Sequence, residues 1–200
     1  DPLVADLLPQ VGAFAFASST SKDAAMVVNV VGGNYTAHVT SSAALPNGSG
    51  VALAEFYDAS QVYTAATPRL INISARSQVG LNGDVLIVGF VIGGSTPVRV
   101  LIRGVGPELA TYGLTGLLAD PKVALHAVDG STLQENDDWG SAANATEIQN
   151  AMSSAGAFSI PTNSKSAAIV LTLQPGSYTA IVSGVNSTTG VALAEVYELQ

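Results

Sequence analysis

Apolar residues run almost without a break through AAMVVNVV (residues 24–31) and again through AAIVLTLQ (residues 167–174). The segments that follow, NYTAHVT (34–40) and SYTAIVS (177–183), alternate instead. Tyr35, Ala37 and Val39 fall on one face there, and Thr36, His38 and Thr40 on the other, as along a β-strand. A third segment opens with GVALAE at both Gly50 and Gly190. In its second occurrence Val191, Leu193, Glu195 and Tyr197 share one face, and Ala192, Ala194 and Val196 the other. Both faces are mostly apolar, which predicts a strand covered on two sides. Turn residues GGN and PGS separate the first two segments, and the loops LPNGSG and NSTTG precede the third. Each set therefore predicts a three-stranded antiparallel meander.

The two sets are copies. SKDAAMVVNVVGGNYTAHVT (21–40) matches SKSAAIVLTLQPGSYTAIVS (164–183), VGAFAF (11–16) matches AGAFSI (155–160), and Glu55 matches Glu195. Identity this extended means duplication. Ahead of the second copy, NATEIQNAMSSAG (144–156) predicts a helix with Asn144 as N-cap and Glu147 completing a capping box. Its counterpart is DPLVADLLPQVG at the start, which sets Asp1 opposite Ala145. Residues 69–143 have no counterpart. They hold four strand-like segments, RLINISARS, DVLIVGFVIGG, PVRVLIRGVG and KVALHAVDG, with a short helical PELATYGL and a less regular STLQENDDWG.

The expected fold is all-β. A complete antiparallel β-sandwich, jelly-roll-like and with one or two short helices, occupies residues 67–200, and a half-module of the same type occupies residues 1–66. A half-module buries little by itself and leaves an apolar patch to be covered. The complete module, a neighbouring molecule or a removed upstream segment could cover it. Simple exchange between chains cannot complete every module, because each chain has two second halves and one first half.

Composition narrows the function. Hydrophobic residues make up 48% and charged residues 11%, so disorder is excluded and Ser, Thr, Asn and Gly must face much of the water. A net charge of −8 with seven scattered Lys and Arg argues against nucleic-acid binding. Without cysteine there is neither a disulfide nor a thiolate metal site. No apolar run has the length for membrane insertion. The first residue is Asp1 and not Met, as in a processed or excised product.

RLINISARSQVG, VLIVGFVIGGSTPVRVLIRGVGPELATYGLTGLLADPKVAL, NDDWG, and GSYTAIVSGV with TGVALAEVYE together resemble a bacterial secreted module that sits, often in tandem, at the ends of large surface or exported proteins. The later half is also similar to the bacterial pre-peptidase C-terminal β-sandwich, through its DG, NDD and PGSY pattern. The resemblance implies a non-catalytic, extracellular or cell-surface domain used for attachment or assembly. It names no ligand.

Four carboxylates, Asp129, Glu135, Asp137 and Asp138, crowd DGSTLQENDDWG. Clustered oxygens in a loop suit calcium, and a solvated turn with Asp capping backbone amides explains them as well. The spacing is not that of an EF-hand. RGVGPELA lacks the third glycine of a dinucleotide fingerprint and fits a strand-to-helix turn with Pro107 in the first helical turn. Neither a GxSxG nor an HExxH motif occurs, and His38 and His126 each fall within a strand segment. No enzyme is expected.

Glu195, on a doubly covered strand, needs a cationic partner, because an unpaired buried charge is costly. All four arginines lie in the unshared segment, and Arg99 and Arg103 share a strand face. Glu195 is expected to pair with one of them, and Glu55 to compete for, or find, an equivalent partner across an interface. The leading functional expectation is an extracellular structural protein that assembles with copies of itself into a fibre, sheath or surface array. The alternative is a glycan-binding or adhesion module, with Trp139 and Tyr112 as its aromatic contacts.

Overall fold

Eight strands build residues 71–200, and their pairing is that of a long hairpin rolled onto itself. They are β1 (Asn72–Val79), β2 (Leu86–Ile92), β3 (Val98–Val105), β4 (Pro121–Ala127), β5 (Thr132–Asn136), β6 (Ala167–Leu173), β7 (Gly176–Gly184) and β8 (Gly190–Leu199). The computed structural model describes residues 2–18, 20–41, 48, 50–60, 62–64 and 66–200. It divides the chain into two units, residues 1–70 and 71–200.

In the second unit one sheet has the order β1-β8-β3-β6 and the other β2-β7-β4-β5, with every pairing antiparallel. The order is that of a jelly roll. Its ladders join the first four strands to the last four: β8 lies between β1 and β3, β7 between β2 and β4, β6 beside β3, and β5 beside β4.

This order corrects the meander expected for residues 164–199. β6, β7 and β8 alternate between the two sheets, and none pairs with another. Period-two alternation fixes which face of a strand is buried. It does not fix which strand lies alongside. STLQENDDWG also contributes more than expected, since β5 pairs with β4 across an irregularity at Leu125/His126.

Two apolar layers hold the unit together. Between the sheets pack Val88, Val100, Ile102, Leu125, Ile169, Val182 and Ala194. On the outer side of the first sheet, Leu101, Val105 and Val170 meet Trp139, Ile148 and Met152. Ile148 and Met152 come from α2 (Ala145–Ser154), and Trp139 opens a 3₁₀ turn. β3 and β8 are thereby covered on both faces. Full burial of one large aliphatic chain stabilises by roughly 1.5–3 kcal/mol.

α2 begins where expected, but Asn144 does not cap it through its side chain; the amide donates to Glu147 Oε2 at 3.1 Å. Gly106 ends β3 and precedes the 3₁₀ segment Pro107–Tyr112. A Cβ at Gly106 would overlap the Leu118 carbonyl, so the glycine is there for close backbone approach.

Residues 1–70 carry α1 (Pro2–Leu7), with Val4 buried. Among the described residues from 8 to 70 no strand is assigned. The jelly-roll order supplies the physical reason, because the segments at 24–40 and 50–57 are copies of β6, β7 and β8. In the complete module each of those pairs only with strands of the first half. The LPNGSG loop lies in large part outside the described residues.

Candidate functional site

Arg103 and Glu195 stand opposite each other in the β3–β8 ladder. The Arg103 side chain is fully buried and donates from Nε to Glu195 Oε2 at 2.9 Å, with Nη2 on the same oxygen. Nη1 donates to the Phe158 carbonyl at 2.7 Å. The guanidinium carbon lies 4.2 Å from the centre of the Phe158 ring and 5.6 Å from that of Tyr197. Tyr197 completes the cage by donating its hydroxyl to Glu195 Oε1 at 2.7 Å. Burial first, and the bond to Glu195 second, push the Tyr197 hydroxyl well above its ordinary value of 10.0.

Both oxygens of Glu195 have partners, and the guanidinium is held by a carboxylate, a carbonyl and two rings. The arrangement ties β3, β8 and the segment after α2 to one point. With the arginine shut away from solvent, its chemistry is structural.

Arg99 lies on the same strand face but goes elsewhere. It pairs with Glu147 of α2 at 2.6 Å, where Arg99 first and Asn144 second hold the Glu147 carboxyl below its ordinary value. Of the two arginines offered by the strand pattern, the structure brings Arg103 to Glu195.

Of the four carboxylates of residues 129–138, three have separate partners and Asp137 is exposed. Asp129 accepts from the Ser131 amide at 3.0 Å and hydroxyl at 2.7 Å, as in an Asx turn, which lowers its pKa. Glu135 pairs with Lys122 at 2.7 Å, and Asp138 with Lys165 at 2.8 Å. Among the described residues no group of three or more His, Asp or Glu could hold a metal ion. Asp129, Glu135 and Asp138 thus each have a different partner, in Ser131, Lys122 and Lys165.

Trp139 is not an exposed aromatic. It is 1% exposed, packs in the outer core, and donates Nε1 to the Pro161 carbonyl at 3.2 Å. Tyr112 is exposed and meets the edge of Phe158. A shallow groove on the outer face of the second sheet is lined by His126, Ser177, Thr179 and Ile181. His126 Nδ1 there lies 3.2 Å from the Thr132 hydroxyl. His38 is exposed in the other unit. No described helix is long and apolar enough to cross a membrane.

The cage is written a second time in residues 1–66. Phe14 corresponds to Phe158, Glu55 to Glu195 and Tyr57 to Tyr197. Tyr57 donates to Glu55 Oε1 at 2.9 Å, repeating the Tyr197 bond. Tyr35 donates to the Val31 carbonyl at 2.9 Å, as Tyr178 does to Gln174 at 2.8 Å. The end of α1 repeats the end of α2: Ala13 N donates to Leu8 O at 2.9 Å and Ala157 N to Met152 O at 3.0 Å. Gly12 and Gly156 take left-handed φ of 75° and 66° at the two ends. Among the described residues the local bonds of the module are present, and its ladders are not. Among the described residues no cation pairs with Glu55.

Sequence reasoning found the two glutamates and missed Phe158 and Tyr197. Their signal was available, since both recur in the repeat as Phe14 and Tyr57.

No family model matches the chain, and no curated protein does. Among solved structures, the pre-peptidase C-terminal domain of collagenase from Bacillus anthracis is 12% identical, over 63% of this chain and 89% of that one, with a TM-score of 0.38. The likeness is weak.

Proposed function

We propose that this chain is a non-catalytic structural protein of the bacterial cell exterior, whose modules assemble with others of their own type into a fibre, sheath or surface array. The observation that carries the reading is the state of the first copy. Its strand segments expose Val51 entirely and Leu53 to 74%, although their counterparts in β8 are half-buried. A stretch of this kind, with unpaired backbone beside apolar side chains, is a site for β-pairing with another module.

Sedimentation velocity over a range of concentrations, with negative-stain microscopy of the same samples, tests the reading. Association that weakens when Val51 and Leu53 are replaced by Lys supports it. A monodisperse monomer at every concentration, both alone and mixed with a chain that carries an unpaired first half of the module, overturns it.

A further inference from the structure

Residues 1–66 contain three walls of an arginine cage and no arginine, since all four in the chain lie at position 69 or beyond. Phe14 is 76% exposed, whereas Phe158 lies half-buried over Arg103. Glu55 and Tyr57 are exposed and already joined by their hydrogen bond, which raises the Tyr57 hydroxyl above its ordinary value. An exposed carboxylate, an exposed phenyl ring and a pre-set tyrosine are the parts that in the second copy close on one guanidinium. Beside them run the copies of β6, β7 and β8, whose ladder partners in the complete module are all first-half strands.

We infer that residues 11–57 receive a free first half of the same module type: four strands like β1–β4, the third carrying an arginine at the place of Arg103. The inference rests on the assembly reading above and names the partner of that joint. Register follows from the second copy. Glu195 faces Arg103 while Ala194 faces Gly104, so Glu55 faces the partner's arginine and Ala54 a small residue beside it.

A second copy of this chain is the poorer occupant. Its β1–β4 are already closed by its own β6–β8, with Glu195 on Arg103. Exchange would expose as many strands as it covered. One substitution also tunes the fit. Phe56 stands where Val196 packs in the inner core opposite Ile102, so the favoured partner has a smaller residue than isoleucine there.

The test joins a second copy of residues 67–144 ahead of residue 1 of the full chain, with Phe56 retained in one form and Phe56→Val in another. Amide hydrogen exchange is then followed in residues 24–57. In at least the Phe56→Val form these amides are expected to exchange about a hundredfold more slowly than in the 200-residue chain, as ladder bonds form. Arg103→Glu in the added segment should remove the protection, Glu55→Arg should restore it, and Phe14→Ala should weaken it.

Unchanged exchange in both forms overturns the inference. So does protection already present in the 200-residue chain together with a dimer mass, which would make a second copy the occupant. Protection that ignores Arg103→Glu overturns the arginine. These outcomes are separate from the sedimentation result, so a failure of the array reading and a failure of the joint are told apart.

Discussion

Arg103 and Glu195 share one buried ion pair across β3 and β8, with Tyr197 on the second carboxylate oxygen. Removing one charge leaves the other buried without a partner, which costs about 3–5 kcal/mol. Glu195→Gln is therefore expected to lower stability by roughly 3 kcal/mol, the amide keeping some of the hydrogen bonds. Arg103→Met combined with Glu195→Leu should recover most of the loss, because an apolar pair avoids the desolvation. Urea unfolding followed by the emission of Trp139, the one tryptophan, reads residues 71–200 directly. An unshifted midpoint in Glu195→Gln would show that the pair holds nothing.

Tyr197 sets an alkaline limit. Its folded pKa is raised, by burial first and then by Glu195, above the ordinary 10.0. A raised group contributes stability that is complete below the unfolded value and lost as pH climbs from there through the folded one. Tyr197 is expected to ionise at higher pH in the folded protein than in the unfolded chain. Tyrosinate absorbance against pH should show that lag, and Tyr197→Phe should remove it.

At the acid end the exposed Arg99–Glu147 pair works in the opposite sense. The Glu147 carboxyl is held below its ordinary 4.5, by Arg99 first. A lowered group contributes stability above its unfolded value and loses it as pH falls through the folded one. Exposure keeps that contribution small. In Arg99→Ala the Glu147 carboxyl should titrate nearer 4.5, as measured by carboxyl carbon shifts, while thermal stability at neutral pH changes little.

Gly106→Ala tests the turn after β3. The new methyl meets the Leu118 carbonyl, a backbone atom that cannot swing away. A loss of roughly 2–3 kcal/mol is expected, read as a lower urea midpoint with unchanged slope. Gly130→Ala, at an open turn with φ of 83°, meets no neighbour and should cost less, about 1 kcal/mol of backbone strain.

The sequence-level reading reached the fold class through particular residues. The alternation of 177–183 and the two apolar faces of 190–199 match the burial of β7 and β8. It did not show which side chains their neighbours in the fold would cover or separate. Trp139 looked like a binding aromatic beside an acidic loop, yet α2 and β6 close over it. Asp129, Glu135 and Asp138 looked like one cluster, yet Ser131, Lys122 and Lys165 separate their carboxylates.

By itself the sequence determined the local structure, and it did so twice. The same helix-end bonds, the same tyrosine-to-carbonyl bond and the same Tyr–Glu bond form in both copies, because each spans only a few residues and needs nothing distant. Tertiary structure alone decided which copy becomes sheet. A strand keeps its backbone satisfied only beside another strand, and in a jelly roll that neighbour comes from the opposite half of the chain. Glu195 therefore lies buried against Arg103, while Glu55, with the same neighbours in sequence, remains exposed.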